Sequence, residues 1–126
     1  QGAVDDTSGT ASVLEMATVF SEIIKEKGEP DKSIRFCTWG GEEEGLWGST
    51  AYVEEMKDDL SQNLRLYINL DMNHVDIDPE RGDSVSIIAN HKEDYEHISN
   101  IAEEYKEANP EMASRYNIYV RLTQTQ

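Results

Sequence analysis

Between Ser8 and Lys27 the apolar residues Val13, Ala17, Phe20 and Ile24 recur at helical spacing, and Leu14 and Ile23 widen the stripe. This predicts an amphipathic helix over 8–27, stopped by Gly28 after Lys25 and Lys27. Residues 33–39, rich in β-branched and aromatic types, predict a strand. Residues 46–57 predict a second helix with Ala51, Val53 and Met56 inward. A second strand is expected over 64–71, where the near-continuous apolar run suits a sheet covered on both faces. The polar, acidic stretch 72–83 reads as a loop, and 84–89 as a third strand. A third helix is expected over 94–108, with Ile98, Ile101, Ala102 and Tyr105 on one side and a stop at Asn109-Pro110. Residues 117–122 suit a fourth strand. Helices set between strands predict an α/β fold, a mostly parallel sheet with helices on both faces, as a single domain over 1–126.

Charge narrows the partners. Eleven Lys and Arg stand against 26 Asp and Glu, for a formal charge of −15. Phosphate binding needs clustered basic residues, so neither nucleic acid nor an anionic membrane is an expected partner. No apolar run approaches the ~20 residues of a membrane span. The one cysteine, Cys37, excludes an internal disulfide framework and reads as a small buried hydrophobe. The chain opens on Gln1 without Met and ends at 121–126 without a stop signal, which suggests a segment of a longer protein.

Three acidic clusters stand out by position. Asp5-Asp6 directly precedes the first helix, Glu42-Glu43-Glu44 follows the first expected strand, and Asp71 ends the second. Taken singly, each has a plain reading: a helix cap, a solvated turn and a strand end. Taken together, they place carboxylates where ligands collect, outside the carboxyl ends of strands in an α/β sheet. Converging carboxylates repel unless protons or metal ions neutralise them. Oxygen ligands alone suit Ca²⁺ or Mg²⁺, whereas carboxylates mixed with histidine suit Zn²⁺. The stretch 76–83 lacks the glycine and glutamate of an EF-hand loop.

The segments Gly-Ala-Val-Asp-Asp-Thr-Ser-Gly at 2–9, Arg-Phe-Cys-Thr-Trp-Gly-Gly-Glu-Glu-Glu-Gly-Leu-Trp-Gly-Ser at 35–49 and Ile-Asn-Leu-Asp-Met at 68–72 closely resemble the co-catalytic zinc aminopeptidases. That family includes the secreted bacterial leucyl aminopeptidases and has the three-layer α/β/α fold of the zinc exopeptidases. The resemblance implies two zinc ions, a peptide substrate with a free N-terminus, and a secreted protein. It implies that Asp5 bridges the two ions through a motif whose link to Asp6 is cis. It also implies that Glu43 ligates one zinc and Asp71 the other, and that Glu42 is the general base. Metal binding can lower a water's pKa towards ~7, and a nearby carboxylate can carry its proton to the leaving amine.

The chain departs from the family pattern at three points. Glu44 replaces a common apolar residue. The family's two histidine ligands, one upstream of Asp-Asp and one in a downstream Ser-Asp-His triplet, have no counterpart here, so the site is expected to be incomplete. His74, three residues past Asp71, is the nearest substitute, although an exposed loop role suits it better; His91 and His97 match no family motif. Trp39 and Trp47 are expected to pack around the glutamate loop rather than bind substrate. Relatives with carboxypeptidase or glutaminyl cyclase activity, and a non-catalytic acidic binding domain on the same fold, are the alternative functions.

Overall fold

The computed structural model describes residues 2–73, 76–78 and 82–123. It divides into two compact units, Gln1–Met72 and Asn73–Gln126. His74 lies outside the described residues.

In the first unit, helix α1 (Thr7–Lys27) forms as its periodicity predicts, and Gly28 ends it by donating its N–H to Ile24 at 2.9 Å. The inward side of α1 is carried by Val13, Met16, Ala17 and Ile24, which are half-buried. Leu14 and Ile23, expected in that stripe, are exposed. Phe20 of α1 meets Phe36 with ring centroids 5.9 Å apart, which fixes the helix on the 33–39 segment. The expected helix over 46–57 is two: α2 (Trp47–Glu55) and α3 (Lys57–Asn63), divided at Met56. Ala51 and Val53 are exposed rather than inward. Tyr52 faces inward instead, because its ring lies against Trp39 at 5.0 Å and its hydroxyl accepts from Arg35 at 2.9 Å.

Neither 33–39 nor 64–71 is a strand, contrary to expectation. A strand exists only through a hydrogen-bonded neighbour, and the described residues give these segments none. Successive residues of 64–71 point to opposite faces if extended, yet Tyr67 and Ile68 are 62% and 66% exposed. Most of the apolar run therefore lacks cover among the described residues, and only Leu70 within it is half-buried.

Arg35 ties 33–39 to both short helices. Its guanidinium donates to Tyr52 and, at 2.7 Å, to Asp59, whose other oxygen accepts from Asn63 at 2.8 Å. The hydrogen bond from Asn63, followed by that from Arg35, holds the Asp59 carboxyl below its ordinary value of 3.8. The folded unit therefore gains from ionised Asp59 at any pH above that value, and loses the gain as pH falls through the lower folded pKa. We expect the thermal midpoint to fall modestly between about pH 5 and pH 2, and Asp59→Asn to flatten part of that slope. An identical slope in both proteins would remove Asp59 as a contributor.

The second unit is an α/β arrangement around one three-stranded sheet of order β1-β2-β3. Strand β1 (Asp76–Asp78) runs antiparallel to β2 (Gly82–Ala89), with Asp76 opposite Ser84 and Asp78 opposite Gly82. The loop expected over 72–83 thus contributes both sides of a short antiparallel pair. Helix α4 (Lys92–Ala108), capped by Asn109, is followed by α5 (Pro110–Arg115), which the sequence reading did not anticipate. Proline stops α4 because it lacks an N–H, and the same property suits it to the first turn of α5. Strand β3 (Asn117–Leu122) then pairs parallel to β2, from Ser84 opposite Asn117 to Ala89 opposite Leu122. Helix α4 packs on β2 and β3, and Ala89 and Ala102 are buried. Both are small, so helix and sheet approach closely, and Thr123 seals the end of the sheet by donating its N–H to Ala89 at 2.9 Å. The helix–sheet layering is α/β; a three-layer sandwich is not formed by the described residues.

Candidate functional site

All the carboxylates singled out by the sequence lie in the first unit, on turns and loops, and all are exposed. Asp5 stands in a tight turn before α1. The Thr7 N–H donates to Gly2 at 3.0 Å, and Ser8 donates to Val4 through both its N–H at 3.4 Å and its hydroxyl at 2.6 Å. The Asp5–Asp6 peptide bond is cis.

Asp6 caps α1. Its Oδ1 accepts the Gly9 N–H at 3.0 Å, satisfying one of the donors that the first helical turn leaves open. The same oxygen accepts the Met72 N–H at 3.1 Å, one residue past Asp71. Met72 has φ +48°, in the left-handed region, where a non-glycine residue costs about 1–2 kcal/mol. A net contribution of about 1.5–3 kcal/mol from a hydrogen bond to a charged group offsets that cost when shielded, and less when exposed as here. Gly9 makes the approach possible. A Cβ there would overlap the Leu70 carbonyl oxygen and lie 2.5 Å from both Asp6 carboxylate oxygens.

The glutamate loop is closed on itself. Gly48 donates to Gly40 at 2.9 Å and Trp47 to Gly41 at 3.1 Å, so the two ends of 40–48 run side by side. Gly48 has no room for a side chain: a Cβ would sit 2.7 Å from the Gly40 oxygen. Inside the loop, the Glu42 carbonyl accepts from Gly45 at 3.0 Å and from Leu46 at 2.9 Å. The backbone of Glu42 is thereby fixed while its carboxylate remains in solvent. Trp47 lies over the loop glycines, 3.3 Å from a Cβ built at Gly41, although it is itself 67% exposed. Trp39 packs on Tyr52, as described above. Cys37 is half-buried.

The donor set tests the implied zinc. Asp5, Glu43 and Asp71 are oxygen ligands that zinc accepts alongside imidazole, so they fit in kind. Among the described residues, no three His, Cys, Asp or Glu side chains gather closely enough to hold a metal ion. The first unit contains no histidine in its sequence, and His91 and His97 of the second are exposed, at the start of α4 and on its surface. Among the described residues, these carboxylates are of a kind that zinc accepts, and no closed ligand set is formed.

The match of the chain to a known family gives its class, that of the metallopeptidases. Residues 1–121 match Peptidase family M28, and the chain belongs to that family. Its members are peptidases and are generally zinc-dependent. Aminopeptidase NAALADL1 of Rattus norvegicus is 47% identical over 73 residues, covering 56% of this chain and 10% of the relative. The probable glutamate carboxypeptidase VP8 of Zea mays is 41% identical over 70 residues, again 56% of this chain and 10% of the relative. An aminopeptidase of Pseudomonas aeruginosa is 38% identical over 71 residues, 56% of this chain and 12% of the relative. The matched stretch is thus only about a tenth of the length of these curated relatives. No solved structure matches the chain. No described helix is long and apolar enough to cross a membrane.

The sequence reading gave Asp6 no role beyond capping and the cis link, and gave Gly9 none. An Asp-x-x-Gly step at a helix start signals a cap. Nothing local signals a partner 66 residues away.

Proposed function

We propose that this chain is the core segment of a zinc exopeptidase, most simply an aminopeptidase acting on peptides with a free N-terminus. One observation carries this reading: the carboxylates of all three motifs lie exposed on loops of a single compact unit, in a chain of the M28 family. Asp5, Glu43 and Asp71 would hold the metal, with histidines from segments flanking this chain completing the set. Zinc, when bound in such a set, makes water acidic enough to attack at neutral pH and polarises the scissile carbonyl. Glu42 accepts the proton of the attacking water and returns it to the leaving amine, a task suited to a carboxylate on an anchored backbone and free of the metal. Glu43, its neighbour, takes the different role of ligand.

The kinds of relative matched, aminopeptidases and glutamate carboxypeptidases, support a second reading in which the C-terminal residue is removed. The two separate in one assay. A version of the chain carrying both histidine-bearing flanks is incubated with a peptide blocked at its N-terminus and with one blocked at its C-terminus. Release of the first residue from the C-terminally blocked peptide alone is the expected result. Hydrolysis of the N-terminally blocked peptide alone would favour carboxypeptidase action, and hydrolysis of neither would favour a non-catalytic domain on the same fold.

A further inference from the structure

We infer that Asp6 is a positioning residue, whose Oδ1 oxygen locks Asp71 in register with Asp5. The inference rests on the zinc exopeptidase reading, in which Asp5 and Asp71 serve one metal centre. A helix cap needs only a bond within the first turn, and the Gly9 N–H at 3.0 Å supplies it. The second bond, from the Met72 N–H at 3.1 Å, spans 66 residues and does nothing for the helix. Its donor belongs to the peptide unit that joins Asp71 to Met72, so the contact grips the backbone at Asp71. Its acceptor belongs to the residue bonded to Asp5. Each candidate ligand is therefore covalently adjacent to one end of the same contact, and neither can slide along its segment without breaking it.

The surroundings are shaped for that contact. One carboxylate oxygen has the lone pairs to accept two N–H groups at once. Gly9, buried between them, leaves the space that any larger residue would take from the Leu70 carbonyl and the Asp6 carboxylate. Asparagine would keep an acceptor oxygen at the same reach, whereas alanine would remove it.

The test uses the whole chain, unchanged and as Asp6→Ala and Asp6→Asn, with amide hydrogen exchange followed residue by residue by NMR. Asp6→Ala is expected to speed exchange at Met72 about tenfold or more, and Asp6→Asn to leave it within a few-fold. Zinc titrated by calorimetry into the same variants of the version bearing both histidine flanks is expected to bind about 10- to 100-fold more weakly to Asp6→Ala, with affinity rescued in Asp6→Asn. Circular dichroism checks that α1 persists. If Asp6→Ala fails to fold, Asp6→Asn decides, since exchange at Met72 as fast as in an open loop would overturn the lock. Fast exchange confined to Gly9 in Asp6→Ala, with Met72 unchanged, would also overturn it and leave Asp6 a cap. A version bearing both histidine flanks that takes up no zinc, while Met72 still depends on Asp6, contradicts the exopeptidase reading and upholds the lock.

Discussion

Glu42→Gln, made in a version of the chain with both histidine-bearing flanks, is expected to lower peptide hydrolysis by about 100- to 10,000-fold. Zinc content should stay as in the unchanged protein. Glutamine keeps the shape of glutamate, replaces one acceptor oxygen with an NH₂ donor and cannot take up a proton, so the variant removes proton transfer with little change of volume. The loop supports this choice. The Glu42 carbonyl is pinned by Gly45 and Leu46, and those bonds use the backbone alone, so exchanging the side chain leaves them in place. Activity measured against zinc content by elemental analysis is the check. Loss of both together would make Glu42 a ligand, and unchanged activity would remove it from the reaction.

Gly9→Ala is expected to destabilise the first unit by about 1–3 kcal/mol, the usual cost of forcing atoms into a filled site. The ordinary effect of this change has the opposite sign. Alanine in a helix is favoured over glycine by about 0.5–1 kcal/mol, and on an open helix face Gly→Ala would raise stability. Here the added carbon meets the Leu70 carbonyl, which is backbone, so relief requires α1 to retreat from 70–72. Retreat would also stretch the Asp6–Met72 contact. Urea unfolding monitored by Trp fluorescence gives the sign directly, and a midpoint equal to or above that of the unchanged chain would show the approach to be looser than described.

The parts of this fold legible in the sequence are those stabilised locally. Helix α1 follows from its own apolar period and its Gly28 stop, and α4 from its stripe and Asn109-Pro110. Strands β2 and β3 were legible because a parallel partner and a covering helix lie within about forty residues of chain. Residues 33–39 and 64–71 carry strand-like composition just as clearly, yet composition cannot supply the neighbour that a ladder needs. Tyr52 shows a different failure. Helical spacing pointed to Ala51 and Val53 as the inward residues, and the Trp39 ring and Arg35 drew Tyr52 inward instead.

At the candidate site, the residue types were legible from the motifs and their placement was not. Asp5, Glu42, Glu43 and Asp71 stand out through the resemblance of their motifs to the zinc aminopeptidases, and each is exposed on a loop or turn. That Asp6 joins the first motif to the third depends on a hydrogen bond between residues far apart in sequence, which no local pattern encodes. Loops 2–8 and 40–48 are each held by their own backbone hydrogen bonds, so their shapes are local.

The most direct test is the zinc content of the version bearing both histidine flanks, measured after saturation and exhaustive exchange, beside the same protein with Asp5→Asn. Two zinc ions per chain, and clearly fewer once Asp5 is changed, is the expected result. A protein that holds no zinc, or holds two with Asp5 replaced, would contradict the assignment of these carboxylates to an exopeptidase metal centre.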